Sequence, residues 1–322
     1  MKILEVRNLT VYFYTYAGVV RAVEGVSFDL YKGETLAIVG ETGSGKSVTT
    51  RAITRLIQPP GRVVSGSVIY RRDGEEVDLL KLPEEELRKI RGSEIAYVFQ
   101  DPSSALDPLY TVGYQIGEAM AAHRGGGVKQ YFKEAVDLLR RVLIPDPEAR
   151  ARAFPHQLSG GMKQRSVIAM SISNKPRILI ADEPTTAVDV TVQAQILQLF
   201  KKLKEEIGMS IIFITHNMGL VAEFADRVIV MYGGKIVEEA PVYELFQNPK
   251  HPYTQGLLKA VVNPINPQNR LEPVPGTIPN LINPPSGCRF HPRCPFYMQG
   301  KCDKEEPPLA GDRHKVACWL YT

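Results

Sequence analysis

Short, unbroken apolar runs alternate along this chain with stretches whose apolar positions recur every three or four residues. The runs are Thr35-Leu36-Ala37-Ile38-Val39, Ile95-Ala96-Tyr97-Val98-Phe99, Ile178-Leu179-Ile180-Ala181 and Ser210-Ile211-Ile212-Phe213-Ile214-Thr215. Each reads as a strand buried on both faces. Helical periodicity follows at Val48–Ile53, at Leu82–Ile90, from Val112 to about Arg152 with a break at Arg124-Gly125-Gly126-Gly127, from Leu158 through Ile172, over 191–207, and over 217–226. Strands alternating with helices predict an α/β domain with a largely parallel sheet. Two regions depart from that rhythm. Residues 1–40 carry period-two runs at Val11–Tyr16 and Val26–Leu30, with further strand over 62–80, and predict an antiparallel β subdomain. The helical block at about 101–170 interrupts the strands and predicts an inserted α-helical subdomain. Strands near 227–239 and a helix at 241–247 close a domain of residues 1–247.

Beyond residue 247 the texture changes. Of the 24 prolines, thirteen lie in 248–322, together with all four cysteines, Cys288, Cys294, Cys302 and Cys318. Proline at that density argues against a regular helical or sheet core. The segment reads as a separate, stapled, loop-rich extension. The rest of the composition narrows the class further. A chain of 322 residues, 44% apolar and 23% charged, folds as a globular protein. A net charge of +4 is too small and too dispersed to argue for nucleic acid. No apolar run is long enough to span a bilayer. Met1–Val6 alternates like a strand and lacks a secretory signal's apolar block, so a cytoplasmic protein is expected.

The chemistry begins where the first buried strand ends. Gly40-Glu41-Thr42-Gly43-Ser44-Gly45-Lys46-Ser47 fits G-x-x-x-x-G-K-[ST] between a strand and a helix, which is the context of a phosphate-binding loop. Glycines let backbone N–H groups turn inward, and the helix N-terminus adds partial positive charge. Glu41, Thr42, Gly43, Ser44, Gly45, Lys46, Ser47 and Val48 are therefore the expected nucleotide-binding run, with Lys46 on the β and γ phosphates and Ser47 on Mg²⁺. Tyr16, nearest the turn at Gly18 among four clustered aromatics, is the choice for stacking on the base. A second strand delivers Asp182 and Glu183 to its C-terminal end, where ligands sit in open α/β sheets. Asp182 is expected to hold Mg²⁺ and Glu183 to act as general base on the attacking water. Gln100 would position that water or contact the metal, and His216, ending another strand, would bond the γ-phosphate. Phosphoryl transfer rests mainly on positioning and charge neutralisation, which this set of residues supplies. Leu158-Ser159-Gly160-Gly161-Met162-Lys163-Gln164-Arg165 adds a capped helix start rich in N–H groups, a second anion site.

With these motifs in this order, the sequence resembles the ATP-binding cassette (ABC) family over residues 1 to about 250. The resemblance implies a P-loop NTPase cassette fold: a RecA-like core, the antiparallel β subdomain and the inserted helical subdomain. It implies ATP and Mg²⁺ as ligands. It also implies a head-to-tail pair of cassettes, identical or paralogous, in which Ser159, Gly160, Gly161 and Gln164 of one cover the ATP of the other. Asp189 matches the segment linking the two sites, and Gln100 the loop that couples to membrane subunits. His251-Pro252-Tyr253-Thr254-Gln255-Gly256-Leu257-Leu258, with a cysteine-bearing extension after it, narrows the likeness to the oligopeptide/dipeptide importer ATPases. That subfamily implies two integral-membrane permease subunits, an external solute-binding protein, no nucleic-acid partner, and a place on the cytoplasmic face of the cell membrane. Importers of oligosaccharides or nickel stay open as alternatives, as does a soluble cassette ATPase.

The cysteines are spaced C-x5-C-x7-C-x15-C. In a cytoplasmic protein such clustering favours metal over disulfide. Zinc sites favour tighter pairs, although His291 or His314 could substitute for a thiolate. Some members of the subfamily carry a [4Fe-4S] cluster on such an extension, and Cys288, Cys294, Cys302 and Cys318 fit its four thiolates. Cluster, zinc, and disulfides or free thiols remain the three readings.

Overall fold

The computed structural model describes residues 1–186, 190–260 and 274–322. The chain forms two compact units, Met1–Lys81 with Ile214–Thr322, and Leu82–Phe213. In the first unit, β1 (Lys2–Thr15) and β2 (Gly18–Tyr31) form a long antiparallel hairpin turning at Tyr16 and Ala17. Leu4 and Val6, and beyond a register shift Leu9 and Val11, are fully buried on one face of β1, the shift breaking the strict alternation of a strand. β3 (Thr35–Val39) is buried throughout. It feeds the phosphate loop and the helix Lys46–Ile53. β4 (Gly61–Arg72) and β5 (Glu75–Asp78) complete a four-stranded antiparallel sheet in the order β2-β1-β4-β5.

The second unit holds β6 (Ile95–Val98) and β7 (Ile178–Asp182), paired in parallel from Ile95 opposite Ile178 to Val98 opposite Ala181. β8 (Ser210–Thr215), buried at every residue, leads out of this unit. Between β6 and β7 lie the helices Val112–Arg124, Phe132–Arg141, Pro147–Ala151 and Gly160–Ile172. Gly125, with φ +75°, ends the first of them inside the expected break. The Asp101–Pro108 stretch, expected as loop, contains one helical turn, Pro102–Ala105. Asp101 caps it by accepting from the Ser103 N–H at 2.9 Å.

The chain returns to the first unit through the helix Met218–Phe224, then β9 (Arg227–Tyr232) and β10 (Lys235–Pro241). β9 runs parallel to β3, with Ala37 opposite Val228 and Val39 opposite Val230. The proline-rich extension contributes regular structure after all. The helix Pro252–Lys259 is capped by His251, whose Nδ1 accepts from the Tyr253 N–H at 3.1 Å. β11 (Lys315–Val316) pairs with β10. The extension's large side chains are buried against the rest of the unit: Tyr253 and Phe290 pack edge-on to Tyr232 of β9, at ring-centroid distances of 4.7 and 5.1 Å. A tail this rich in proline gains its apolar burial by sharing a core with β9 and β10.

Candidate active site

The phosphate loop lies wholly in the first unit. Gly40 has φ +150°, and a Cβ there would lie 2.2 Å from the Met231 carbonyl oxygen, so only glycine lets the loop pass this close to β9. Gly45, at φ +100°, turns the chain into the helix that begins at Lys46. Lys46 is buried, and its Nζ donates to the carbonyls of Gly40 at 2.7 Å and Glu41 at 3.0 Å. Ser44 Oγ is buried without a hydrogen-bond partner among the described residues. A polar atom orphaned inside a loop of this shape fits an anionic ligand that supplies the missing partner. Ser47 and Val48 are half-buried in the first helical turn, and Thr42 and Gly43 are exposed. Tyr16 stands fully exposed at the hairpin tip. His216 is exposed just after β8.

The acidic residues and the serine-glycine helix start lie in the second unit. Asp182 ends β7 fully buried, and the Tyr97 hydroxyl donates to its Oδ2 at 2.8 Å. Glu183 follows at φ +46°, a left-handed conformation that is costly for a side chain with a Cβ. Its Oε2 accepts from Gln100 Nε2 at 3.2 Å and from Thr186 Oγ at 3.0 Å. The structure thus brings Gln100 and Glu183 together. Ser159 caps the helix Gly160–Ile172, its Oγ accepting from the Met162 N–H at 3.3 Å, and Ser159 and Gly160 are exposed. Gln164 is buried, with its Nε2 unpartnered among the described residues. Asp189 falls outside the described residues. Sequence reasoning did not single out Tyr97 or Thr186. A tyrosine in a buried strand reads as core, and only the pairing of β6 with β7 reveals that its hydroxyl meets Asp182.

The four cysteines require a correction. They are free thiols. Among the described residues, no group of three or more His, Cys, Asp and Glu is disposed to hold a metal ion. The expected [4Fe-4S] cluster, and zinc in its place, therefore have no support in this geometry. The thiols instead behave as small apolar groups. Cys288 and Cys294 pack against the Tyr232, Tyr253 and Phe290 cluster, and the Cys288 N–H donates to the Cys302 carbonyl at 2.8 Å. Burial pushes the Cys288 thiol up to about 12 and raises those of Cys294 and Cys318, with neighbouring thiols adding to the shift. The two substitute histidines are engaged elsewhere. His314 Nε2 lies 2.7 Å from Glu238 Oε1, and His291 Nδ1 lies 2.9 Å from the Cys288 carbonyl oxygen.

Residues 23–186 match the family model for ABC transporters. The chain belongs to the ABC transporter family. A second family model, the C-terminal region of oligopeptide/dipeptide transporters, matches residues 237–302 of this ABC protein. A dipeptide transport ATP-binding protein, DppD of Bacillus subtilis (strain 168), is 50% identical over 99% of the present chain and 95% of its own length. An oligopeptide transport ATP-binding protein of the same organism, OppD, is also 50% identical, over 99% of this chain and 89% of its own. Among solved structures, the dimeric post-hydrolysis state of the ATP-binding cassette MJ0796 bound to ADP and Pi aligns with a TM-score of 0.65. It is 30% identical and covers 74% of this chain and 98% of that one. The ABC cassette fold, with its mixed α/β architecture, is therefore the fold of this protein.

Proposed function

We propose that this chain is the Mg-ATP-hydrolysing subunit of a multi-subunit importer for dipeptides or oligopeptides. The observation that carries the reading is that one chain joins a phosphate loop with an orphaned buried Ser44 hydroxyl to an extension of the oligopeptide/dipeptide transporter type. Near-full-length similarity to DppD and OppD of Bacillus subtilis supports the peptide class of solute.

In this reading the run Glu41–Val48 cradles the nucleotide phosphates, Lys46 neutralises the β and γ groups, and Ser47 takes Mg²⁺. Asp182 holds the metal, with its carboxylate oriented by Tyr97. Glu183 polarises the attacking water, Gln100 fixes the orientation of Glu183 and of that water, and His216 bonds the γ-phosphate. Tyr16 offers an exposed ring to the base. Ser159, Gly160, Gly161 and Gln164 serve the nucleotide of a second cassette, identical or paralogous, and Asp189 links the two sites. The pair works against two permease subunits at the cytoplasmic face of the membrane.

Glu183→Gln tests the chemistry. It keeps the side-chain volume and the hydrogen bonds but removes the base, so ATP affinity should stay within about twofold while turnover falls at least about a hundredfold. Hydrolysis at the wild-type rate in that variant would refute the base assignment. ATP-driven peptide uptake into vesicles carrying the chain with its permease subunits tests the solute class. Uptake of a different solute class with none for peptides would overturn it.

A further inference from the structure

Glu41, the second residue of the phosphate loop, is gripped from the C-terminal extension. Its backbone N–H donates to the Tyr253 hydroxyl at 2.8 Å. Its carboxylate receives a two-pronged pair from Arg293: Nη1 to Oε2 at 2.8 Å and Nη2 to Oε1 at 3.1 Å. The remaining Arg293 donors go to the Pro275 carbonyl, the Val274 carbonyl and the Tyr232 hydroxyl, at 2.7, 3.0 and 3.3 Å. All five guanidinium N–H groups are therefore used, and the side chain is only 5% exposed. A buried arginine is costly unless it is paired this completely.

An ordinary tether would explain a tail fastened to a domain, but this anchor closes on a particular peptide unit. The Gly40 carbonyl and the Glu41 N–H belong to one rigid plane. Tyr253 holds that plane by the N–H, and Lys46 Nζ is bonded to it by the carbonyl, at 2.7 Å. Lys46 also bonds the next carbonyl along, that of Glu41, at 3.0 Å. Rotation of the plane would withdraw an acceptor from the lysine that the proposed function places on the phosphates. Tyr253 and Arg293 sit on the helix Pro252–Lys259 and the turn His291–Arg293, so the extension reaches the loop at two points.

We infer that Tyr253 and Arg293 are positioning residues for ATP binding, with the C-terminal extension setting the orientation of the 40–41 peptide and through it the placement of Lys46. The inference rests on the reading that this loop binds Mg-ATP. Lys315 supplies an internal comparison. It also fastens the extension, to the Glu239 carboxylate of β10 at 3.3 Å, and has no hydrogen bond to the loop.

The test is Mg-ATP affinity of the purified full chain, measured by calorimetry, with KM and kcat for hydrolysis and melting temperature alongside. Tyr253→Phe keeps the buried ring and removes one hydrogen bond, and should weaken ATP binding about fivefold. Arg293→Gln should weaken it about tenfold or more, with Arg293→Lys intermediate because a point charge replaces the fork. In each, KM rises while kcat at saturating ATP stays within about twofold. Lys315→Gln, which loosens the extension away from the loop, should leave ATP affinity unchanged. Should Arg293→Gln fail to fold, Tyr253→Phe decides the matter alone. Wild-type affinity in Tyr253→Phe, or an equal loss in Lys315→Gln, would overturn the inference while leaving the ATP reading intact. A wild-type chain that binds no Mg-ATP would overturn both.

Discussion

Glu183 shows how much a single position can be asked to carry. Its left-handed backbone costs on the order of 1–3 kcal/mol, and it is held there by bonds from Gln100 and Thr186. The conformation aims a carboxylate from the end of a strand whose preceding residue, Asp182, is fully buried and bonded to Tyr97. His251 carries a different burden. Burial presses its ring down to about 3, and the neutral Nδ1 caps the helix that presents Tyr253. The unfolded chain takes up a proton near pH 6.5 that the folded chain refuses until about pH 3, so stability falls as pH drops through that window. This group alone should cost about 2 kcal/mol between pH 7 and pH 5. Denaturant unfolding of wild type and His251→Asn across that range checks it. The variant, whose side-chain oxygen can still cap the helix, should lose that part of the slope, and identical slopes would discount His251.

At the scale of elements, the phosphate loop depends on β9 as much as on the strand that precedes it. The close approach of Gly40 to the Met231 carbonyl leaves no room for a methyl group, because the obstructing atom is backbone and cannot swing away. Gly40→Ala should therefore destabilise the protein by about 2–4 kcal/mol and weaken ATP binding together. Denaturant midpoints and nucleotide affinity measure the two effects, and a variant unchanged in both would contradict the packing described. The extension follows the same logic. Its helix and its short strand β11 exist because β9 and β10 offer them apolar surface and a free edge, and Lys315 and His314 of the tail pair with Glu239 and Glu238 of β10.

For the whole molecule, no helix among the described residues is long and apolar enough to cross a membrane. The proposed function expects ATP to draw two cassettes together, as in the dimeric state captured for MJ0796. With turnover blocked by Glu183→Gln, Mg-ATP should convert a monomer or paralogue-seeking species into a dimer visible by light scattering. Ser159→Arg, placed at the exposed start of its helix, should abolish that dimer and leave ATP binding intact. Dimer formation in the Ser159→Arg background would count against the role given to that helix.

Most of the cassette was legible along the chain because its signals are local. A buried strand announces itself by consecutive apolar residues, and β3 spans the same residues, Thr35–Val39, that the run predicts. The phosphate loop is legible for the same reason: glycines, lysine and serine must be contiguous to wrap one anion. What depended on the tertiary structure is long-range. Nothing near Cys288 in sequence says whether its thiol faces a metal or an apolar cluster, and burial against Tyr232 and Phe290 favours the second. Nothing near Arg293 points to Glu41, 252 residues away. Partners that far apart leave no periodicity to read, because their proximity is created only when the extension folds back onto β9. The sequence alone determined a nucleotide loop and the family it belongs to, and the folded chain decided what holds that loop in place.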